Sequence, residues 1–204
     1  MNAPFVDIHT HRPTGRHIEL RAAGVHPWEA GRCTTEEALR ELAAALDAGG
    51  VQAVGEIGLD FVRADMPEKR EAQAALFRTQ LAAACERRLP VVLHCVKAFE
   101  ETMRILGEQE PPHIVFHGFV GSLQQAHRAL ERGYYLSFGE RTFASPRTVE
   151  ALKATPLSQL FVETDESPTP IETIYARIAA LRSTDVETLK RATFENYRRI
   201  VAPR

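Results

Sequence analysis

The sequence predicts an α/β protein built on a parallel sheet, either closed as a barrel or doubly wound, and three observations support this prediction. Short apolar runs alternate along the chain with helix-like segments. Residues 90–95 are almost continuously apolar, which is typical of a strand buried on both faces. Polar side chains stand where several of these runs end. Residues 1–204 contain no linker, low-complexity segment or break in composition, so we predict a single domain.

Seven apolar runs are predicted to be strands. The second run is the weakest, because it mixes apolar residues with charged ones. In chain order the predicted strands are residues 4–9, 18–26, 51–59, 90–95, 113–119, 134–138 and 160–164.

Seven helices are predicted between and after these strands. The first begins at Thr34-Thr35-Glu36-Glu37, which has the chemistry of a capping box, and Gly49-Gly50 closes it. The six helices that follow are residues 67–88, 99–106, 122–132, 145–154, 171–181 and 185–201.

Imidazoles and carboxylates stand at the carboxyl ends of the predicted strands, the edge where barrel enzymes build their active sites. Side chains two residues apart on a strand share a face, so Asp7, His9 and His11 point the same way. Burying such groups separately would cost roughly 2 to 7 kcal/mol each, whereas a shared divalent cation would compensate all of them. The residues that we predict to converge are His9, His11, His26, Glu56, His94, His117 and Asp165.

Three histidines and one cysteine fall outside this pattern. His113 lies at the start of a strand and His127 in the middle of a helix, so we interpret them, together with His17, as structural or solvated. Cys95 has the opposite parity from His94, and we predict that it packs against helices.

Composition narrows the class of protein. A formal net charge of -2 gives no general attraction to nucleic acid or to an anionic membrane. No apolar stretch approaches the roughly 20 residues needed to span a bilayer. Three cysteines without paired spacing indicate a reducing compartment, and the first residues show no leader pattern. We therefore expect a cytoplasmic protein without a membrane contact or an obligate protein partner.

Binding of a polyanionic substrate would then depend on a few local residues. Trp28 follows the His26-Pro27 pair and is interpreted either as a base-stacking residue or as packing under a loop. The Arg198-Arg199 pair is interpreted as a helix end that complements its dipole. Each basic residue that follows a strand is either a phosphate contact or an ordinary loop charge. These residues are Arg12, Arg16, Arg63, Lys97 and Arg141.

Seven motifs, in order along almost the whole chain, resemble the TatD family of metal-dependent deoxyribonucleases. The helix around Gln73 to Gln80, with Phe77, also resembles that family. The motifs are Asp7-Ile-His-Thr-His11, Gly24-Val-His-Pro27, Gly55-Glu-Ile-Gly-Leu-Asp60, Pro90-Val-Val-Leu-His94, Phe116-His-Gly-Phe119, Tyr135-Leu-Ser-Phe-Gly139 and Glu163-Thr-Asp-Glu-Ser-Pro168.

The resemblance implies a TIM-like hydrolase barrel that holds two divalent metal ions. It implies that His9, His11 and Asp165 bind the first ion. It also implies that His94 and His117 bind the second and that Glu56 bridges the two. Zn, Mg, Mn and Co all suit such a mixed imidazole and carboxylate set.

The same resemblance assigns the remaining roles. Glu56 and Asp165 would be the catalytic carboxylates, with Asp165 as the candidate general base. His26 would face the substrate phosphate. Trp28, Arg63 and Lys97 are candidate substrate contacts because of their position after predicted strands, not because of the resemblance.

The chain departs from the family pattern in three places. Only twelve residues separate His11 from Gly24, too few for the usual helix and strand, so we expect a distorted or seven-stranded barrel that lacks one βα unit. Val96 stands where the family often has arginine, which leaves Lys97 as the neighbouring cation. Gly118 replaces the usual small Cys or Ser, a change that we expect to be tolerated.

Three functions remain open from the sequence. The first is a metal-dependent 3′-5′ exonuclease acting on DNA. The second is a hydrolase of a small ester, amide or phosphate, or an aminoacyl-tRNA deacylase, because related barrels share this ligand set. The third is a binding module that keeps its metal but has lost catalysis, and the intact Glu56 and Asp165 argue against it.

Overall fold

The computed structural model describes residues 3–32 and 34–202. Within them the chain forms two compact units. Unit 1 contains residues 3–20 and 116–202, and unit 2 contains Arg21–Val115. The prediction of one domain over residues 1–204 stays a prediction.

The described residues contain eight strands rather than the seven predicted. They are β1 (Val6–Asp7), β2 (Ile18–Glu19), β3 (Ala22–Ala23), β4 (Ala53–Asp60), β5 (Val91–Val96), β6 (Ile114–Phe116), β7 (Tyr135–Phe138) and β8 (Leu160–Val162).

The seven predicted helices are all present, with ends within one or two residues of prediction. They are α1 (Thr35–Asp47), α2 (Pro67–Arg87), α3 (Phe99–Leu106), α4 (Leu123–Glu131), α5 (Pro146–Ala154), α6 (Ile171–Leu181) and α7 (Val186–Val201). Side-chain caps set several of these ends. Thr34 and Glu37 form the predicted capping box of α1, and Ser122 and Gln125 form another at α4.

The strand count was wrong because the predicted second strand is two strands with different partners. In unit 1, β2 pairs in parallel with β1, and Ile18 lies opposite Val6. In unit 2, β3 pairs in parallel with β4, and Ala22 lies opposite Ala53. Each piece is only two residues long, and its partner lies elsewhere in the chain, so a local pattern does not reveal the break.

The connection between β1 and β2 contains no helix, as the short spacing predicted. The carboxylate of Glu19 organises this connection instead. It accepts hydrogen bonds from the Thr14 N–H at 2.7 Å, the Thr14 hydroxyl at 2.8 Å and the Gly15 N–H at 3.1 Å. One carboxylate therefore accepts the hydrogen bonds of a turn that connects β1 and β2 without a helix.

Unit 2 is built around the pairing of β4 with β5, and its strand order is β3-β4-β5-β6. Val91, Val92 and Leu93 are fully buried, which confirms that β5 is covered on both faces. The register of the β4–β5 pair shifts between Val54 and Ile57, so the strand is irregular at Gly55 and Glu56.

In unit 1, β7 pairs in parallel with β8, and β1 lies beside β8. The N–H of Ile8 donates to the carbonyl of Val162 at 3.1 Å, and this bond aligns the ends of β1 and β8. Tyr175 is fully buried on α6 and bonds to the backbone of β1. Its hydroxyl donates to the Val6 carbonyl at 2.8 Å and accepts from the Val6 N–H at 3.2 Å.

No helix in the described part of the chain is long and apolar enough to cross a membrane.

Candidate metal centre

Three predicted ligands of unit 1 lie together where β1 and β8 end. The Nε2 atoms of His9 and His11 are 3.3 Å apart, and Asp165 Oδ1 lies 3.9 Å from the first and 3.6 Å from the second. Ligands about 2.1 Å from a tetrahedral ion are separated by roughly 3.4 Å. These three atoms therefore fit a shared divalent cation.

Backbone pairing fixes this geometry. The Asp165 N–H donates to the His9 carbonyl and the His11 N–H donates to the Asp165 carbonyl, each at 3.0 Å. Thr10 and Asp165 thus form a parallel bridge beyond the ends of the regular strands. Because residues i and i+2 share a face, the bridge directs both imidazoles to the side of Asp165.

His117 follows β6 and joins the same cluster. One ligand atom each from His9, His117 and Asp165 lies within 4.8 Å of the others, and the rings of His9 and His117 are 4.3 Å apart between centroids. Unit 1 therefore brings together four of the predicted ligands.

Two buried carboxylates behind this cluster were given no role by the sequence analysis. Glu163 is 1% exposed, and its Oε1 lies 3.6 Å from His117 Nδ1. Burial raises the pKa of Glu163, but the His117 and His9 rings outweigh that effect and hold the pKa below its usual value. Asp7 accepts from the Thr164 N–H at 2.9 Å and from its hydroxyl at 2.6 Å, and burial raises the pKa of Asp7 to about 7.

Gly118 and Gly139 make room for Glu163. A Cβ on Gly118 would lie 3.2 Å from Glu163 Oε1, and a Cβ on Gly139 would lie 3.2 Å from Glu163 Cγ. Gly118 also has a φ of +50°, in the left-handed region that favours glycine. The glycine at 118 therefore matches the local backbone and the buried carboxylate.

The unit 1 cluster opens on a cleft of about 270 Å³. Asp165 lines this cleft, and burial together with the charge of Glu163 raises the pKa of Asp165. Arg141, one of the predicted phosphate contacts, lines the same cleft and is exposed. The positive charge of the Arg141 guanidinium offsets part of the negative charge of the carboxylates.

Unit 2 holds a second cluster, made of His26, Glu56 and His94. Glu56 Oε2 lies 3.2 Å from His94 Nδ1 and 3.7 Å from His26 Nε2. The two rings meet edge to face, with 4.6 Å between centroids. One ligand atom from each residue lies within 4.8 Å of the others, so this set too has a spacing that suits a cation.

The hydrogen bonds of His26 distinguish it from a simple ligand. Its Nδ1 accepts the N–H of Trp28 at 3.2 Å, which caps the short 3₁₀ turn that follows. In the neutral ring the proton is then on Nε2, the atom that faces Glu56. His26 is therefore arranged as a hydrogen-bond donor, in keeping with the predicted phosphate contact.

Two glutamines of α2 hold the His26 loop in place. Gln80 pairs with both backbone groups of Val25, at 2.7 and 2.9 Å. Gln73 donates to the Pro27 carbonyl at 3.2 Å and accepts the Asp60 N–H at 2.8 Å. These glutamines lie in the Gln73 to Gln80 segment singled out in the sequence, where their role in holding a loop was not predicted.

Asp60 is the last residue of β4 and, like Glu163 and Asp7, is a carboxylate to which the sequence analysis gave no role. Its Oδ2 accepts the indole N–H of Trp28 at 2.7 Å and lies 3.4 Å from His94 Nε2. Burial raises the pKa of Asp60, but the bonds from Trp28 and from the Arg63 and Val62 N–H groups outweigh it and lower the pKa. The carboxylate is therefore ionised at neutral pH.

The predicted substrate residues fall into two groups. Trp28 is 44% exposed, and the Arg63 guanidinium lies 4.7 Å from its ring centroid, so these two side chains form one surface. Lys97, Arg12 and Arg16 are exposed, and no contact observed in the described residues ties them to either cluster.

His17, Cys95 and Arg199, which were interpreted as structural, have the following contacts. His17 lies 3.2 Å from Glu172 and edge-on to Phe5. Cys95 contacts Thr102 on α3, as its parity predicted. Arg199 bonds to the Ser158 carbonyl and to Asn196, in keeping with a structural role at the helix end.

Comparison with known proteins identifies the family. The family model described as TatD related DNase matches residues 19–202. This chain belongs to the TatD family. A 3′-5′ ssDNA/RNA exonuclease TatD from Enterobacter lignolyticus is 35% identical over 86% of this chain and 75% of its own length. A metal-dependent hydrolase, YabD of Bacillus subtilis, is 31% identical over 88% of this chain and 76% of its own.

A solved structure of the same family agrees with these sequence relatives. The TatD homologue YjjV of Escherichia coli superimposes with a TM-score of 0.81, at 28% identity, over 91% of this chain and 78% of its own. The predicted fold class, the TIM-like α/β fold of TatD hydrolases, is confirmed. The chain is a metal-dependent hydrolase of the TatD family.

Proposed function

We propose that this TatD hydrolase is a divalent-metal-dependent phosphodiesterase that removes nucleotides from the 3′ end of single-stranded DNA. The observation that carries the proposal is the His9, His11 and Asp165 set, whose three ligand atoms lie 3.3 to 3.9 Å apart beside an open cleft. The Enterobacter relative, named as a 3′-5′ exonuclease of ssDNA and RNA, supports the substrate class.

The ligand assignment follows the two clusters. In unit 1 we assign His9, His11, His117 and Asp165 as ligands, and in unit 2 we assign His94 and Glu56. When bound, divalent cations would lower the pKa of water and stabilise the attacking and leaving oxygens of a phosphodiester. Two ions, with Zn, Mg, Mn or Co as candidates, suit this set of imidazoles and carboxylates. The bridging role of Glu56 stays a prediction.

Asp165 is the proposed general base. It lines the cleft and is one of the three clustered ligands of unit 1. Its raised pKa makes it a better proton acceptor than an ordinary aspartate. It would take the proton of the attacking water, and its N–H and carbonyl keep it in place through the bridge to β1.

The proposed contacts with the substrate are made by hydrogen-bond donors, by basic side chains and by one aromatic ring. His26 presents its Nε2–H, and Arg63, Lys97 and Arg141 are the cations that we assign to phosphates. Trp28 offers an exposed indole on which a base can stack. Stacking does not depend on base identity, which suits an exonuclease without sequence preference.

The test compares substrates under identical metal conditions. Purified protein loaded with Mn, Mg or Zn is given single-stranded DNA labelled at the 3′ end, the same DNA labelled at the 5′ end, an aminoacyl-tRNA and a small phosphate ester. We expect early release of mononucleotide from the 3′ label and gradual shortening of the 5′-labelled strand. Hydrolysis confined to the aminoacyl ester or the small ester would overturn the DNA assignment while leaving the hydrolase chemistry intact.

A further inference from the structure

Asp60 is a buried carboxylate whose four contacts all come from hydrogen-bond donors or from a ring that can donate. Oδ1 accepts the N–H of Val62 at 2.9 Å and of Arg63 at 3.1 Å. Oδ2 accepts the indole N–H of Trp28 at 2.7 Å and lies 3.4 Å from His94 Nε2. The side chain is 3% exposed, so it has little access to solvent.

These contacts determine where the proton of His94 lies when a cation is held between Nδ1 and Glu56. An ionised carboxylate only accepts hydrogen bonds, so Nε2 of His94 must be the protonated nitrogen if it is to bond with Asp60. The neutral ring then has its lone pair on Nδ1, which faces Glu56 Oε2 at 3.2 Å. Two acceptors at this distance suit a cation bound to both, because ligands about 2.1 Å from one ion lie roughly 3.4 Å apart.

The same oxygen fixes the surface around Trp28. The indole N–H and the His94 ring share Oδ2, while the backbone of Arg63, whose guanidinium lies 4.7 Å from the indole ring, is held by Oδ1. One carboxylate therefore orients a candidate metal ligand, an exposed aromatic ring and the cation beside that ring.

We propose that Asp60 is a positioning residue that holds His94 in the Nε2–H tautomer for metal binding and, through the same oxygen, holds Trp28 as a platform for a nucleobase. The inference rests on the proposed function for the identity of the substrate. The tautomer and the indole contact belong to the protein alone.

Asp60→Asn separates these roles. If the amide oxygen keeps the bonds to the Val62 and Arg63 N–H groups, the amide NH₂ replaces Oδ2 and faces two donors. Trp28 then loses its acceptor, and His94 can bond only by accepting at Nε2, which moves its proton to Nδ1. The nitrogen that faces Glu56 loses its lone pair, as happens when the orienting carboxylate of a catalytic triad becomes an amide.

The readout is NMR of ¹⁵N-labelled protein with Zn²⁺ bound and without it, followed by Zn²⁺ titration in a calorimeter. We expect the Nε2–H tautomer of His94 in the native protein with Zn²⁺ and the Nδ1–H tautomer in Asp60→Asn. The Trp28 indole resonance, unique because the chain has one tryptophan, should move upfield. Zn²⁺ affinity should fall about 10- to 100-fold, the usual effect of losing a partner of a metal ligand.

Two control variants make the test specific. Asp65→Asn changes an exposed carboxylate of the following loop, which pairs with Lys69, and should leave the tautomer and the affinity unchanged. Trp28→Phe removes the indole donor and reduces the size of the ring but leaves Asp60 in place. It should keep the His94 tautomer while weakening binding of a short oligonucleotide.

Either of two results would overturn the proposal. One is an Nδ1–H tautomer in the native protein with Zn²⁺, a measurement that does not depend on any variant folding. The other is an unchanged His94 tautomer and unchanged Zn²⁺ affinity in folded Asp60→Asn. Failure of the nuclease assay with both NMR results intact would instead count against the substrate.

Discussion

At the scale of single residues, the sequence predicts which candidate ligands lie together, but it does not predict the buried groups that contact them. His9, His11 and Asp165 stand at strand ends with the parity that brings them together. Asp60 and Glu163 also lie at the ends of strands. Their contacts, however, are with groups that only the folded chain brings beside them. Trp28 lies 32 residues from Asp60 in sequence, and no local pattern joins the two.

Tyr175 provides a stability test at this scale. Tyr175→Phe leaves the Val6 N–H and carbonyl without the hydroxyl that serves both, and it also removes the 2.8 Å contact with Thr193. We expect the free energy of unfolding to fall by about 1 to 3 kcal/mol, the usual penalty for unpaired buried groups. Urea unfolding of metal-free protein measures this change.

The matched control is Tyr135→Phe, which removes a hydroxyl that lies 3.5 Å from the Arg199 guanidinium. It should lose less stability than Tyr175→Phe. An equal loss in both variants would show that the bonds to Val6 are not the source of the effect.

At the scale of elements, the helices were predictable because their ends carry local chemistry. The Thr34-Glu37 capping box begins α1 at the expected residue. The strand assigned to residues 18–26 failed for the opposite reason: its two halves pair with different strands, and pairing is a tertiary property.

The two backbone bonds from Gln80 test whether α2 holds the His26 loop. Gln80→Met keeps the length of the side chain but leaves the Val25 N–H and carbonyl without these partners. We expect a loss of about 2 kcal/mol or more in the free energy of unfolding. Gln124→Met, at an exposed glutamine of α4, should change stability by less than about 0.5 kcal/mol. Similar losses in the two variants would contradict the role of Gln80.

Glu19 gives a pH test of the helix-free connection between β1 and β2. Burial raises the pKa of Glu19, but the bonds from Thr14 and Gly15 outweigh it, so the folded-state pKa is lower than the unfolded one. Its stabilising effect is then present above the ordinary pKa of 4.5 and is lost as the pH falls through the folded-state value. Glu19→Gln should therefore reduce the difference in stability between pH 7 and pH 3.

Urea unfolding of metal-free protein at the two pH values measures this difference. Glu150→Gln, at an exposed carboxylate of α5, should leave the difference as it is in the native protein. A pH dependence unchanged by Glu19→Gln would contradict the role of this carboxylate.

At the scale of the whole molecule, charge predicts how a polyanion must bind. The formal net charge is -2, so affinity for DNA depends on local cations. Three phosphate contacts, from Arg63, Lys97 and Arg141, would make the slope of log K against log salt about -2 for single strands.

Fluorescence anisotropy with a labelled oligonucleotide, in Ca²⁺ to slow hydrolysis, measures this slope. Lys97→Gln should reduce its magnitude by about 0.7, the contribution of one phosphate contact. Lys153→Gln, at an exposed lysine of α5, should not change it. A slope near zero in the native protein would contradict the assignment of the three cations.

The match to the TatD relatives spans most of this chain but only about three quarters of the length of those relatives. The connection between β1 and β2 is short and contains no helix, and the Glu19 carboxylate organises it. The candidate ligands His9 and His11 stand at the start of this connection, ahead of the turn at Thr14 and Gly15 that Glu19 organises.

The most direct test of the central claim is nucleotide release from 3′-labelled single-stranded DNA by protein stripped of metal and then reloaded. The native protein should be inactive when stripped and active with at least one of Mn, Mg, Zn or Co. Asp165→Asn should reduce the rate by about 10²- to 10⁴-fold, the range for loss of a general base. Glu56→Ala should also reduce the rate, because it removes a proposed metal ligand. Glu150→Gln should retain full activity. Metal binding without nucleotide release from the native protein, or release that survives both variants, would contradict this account.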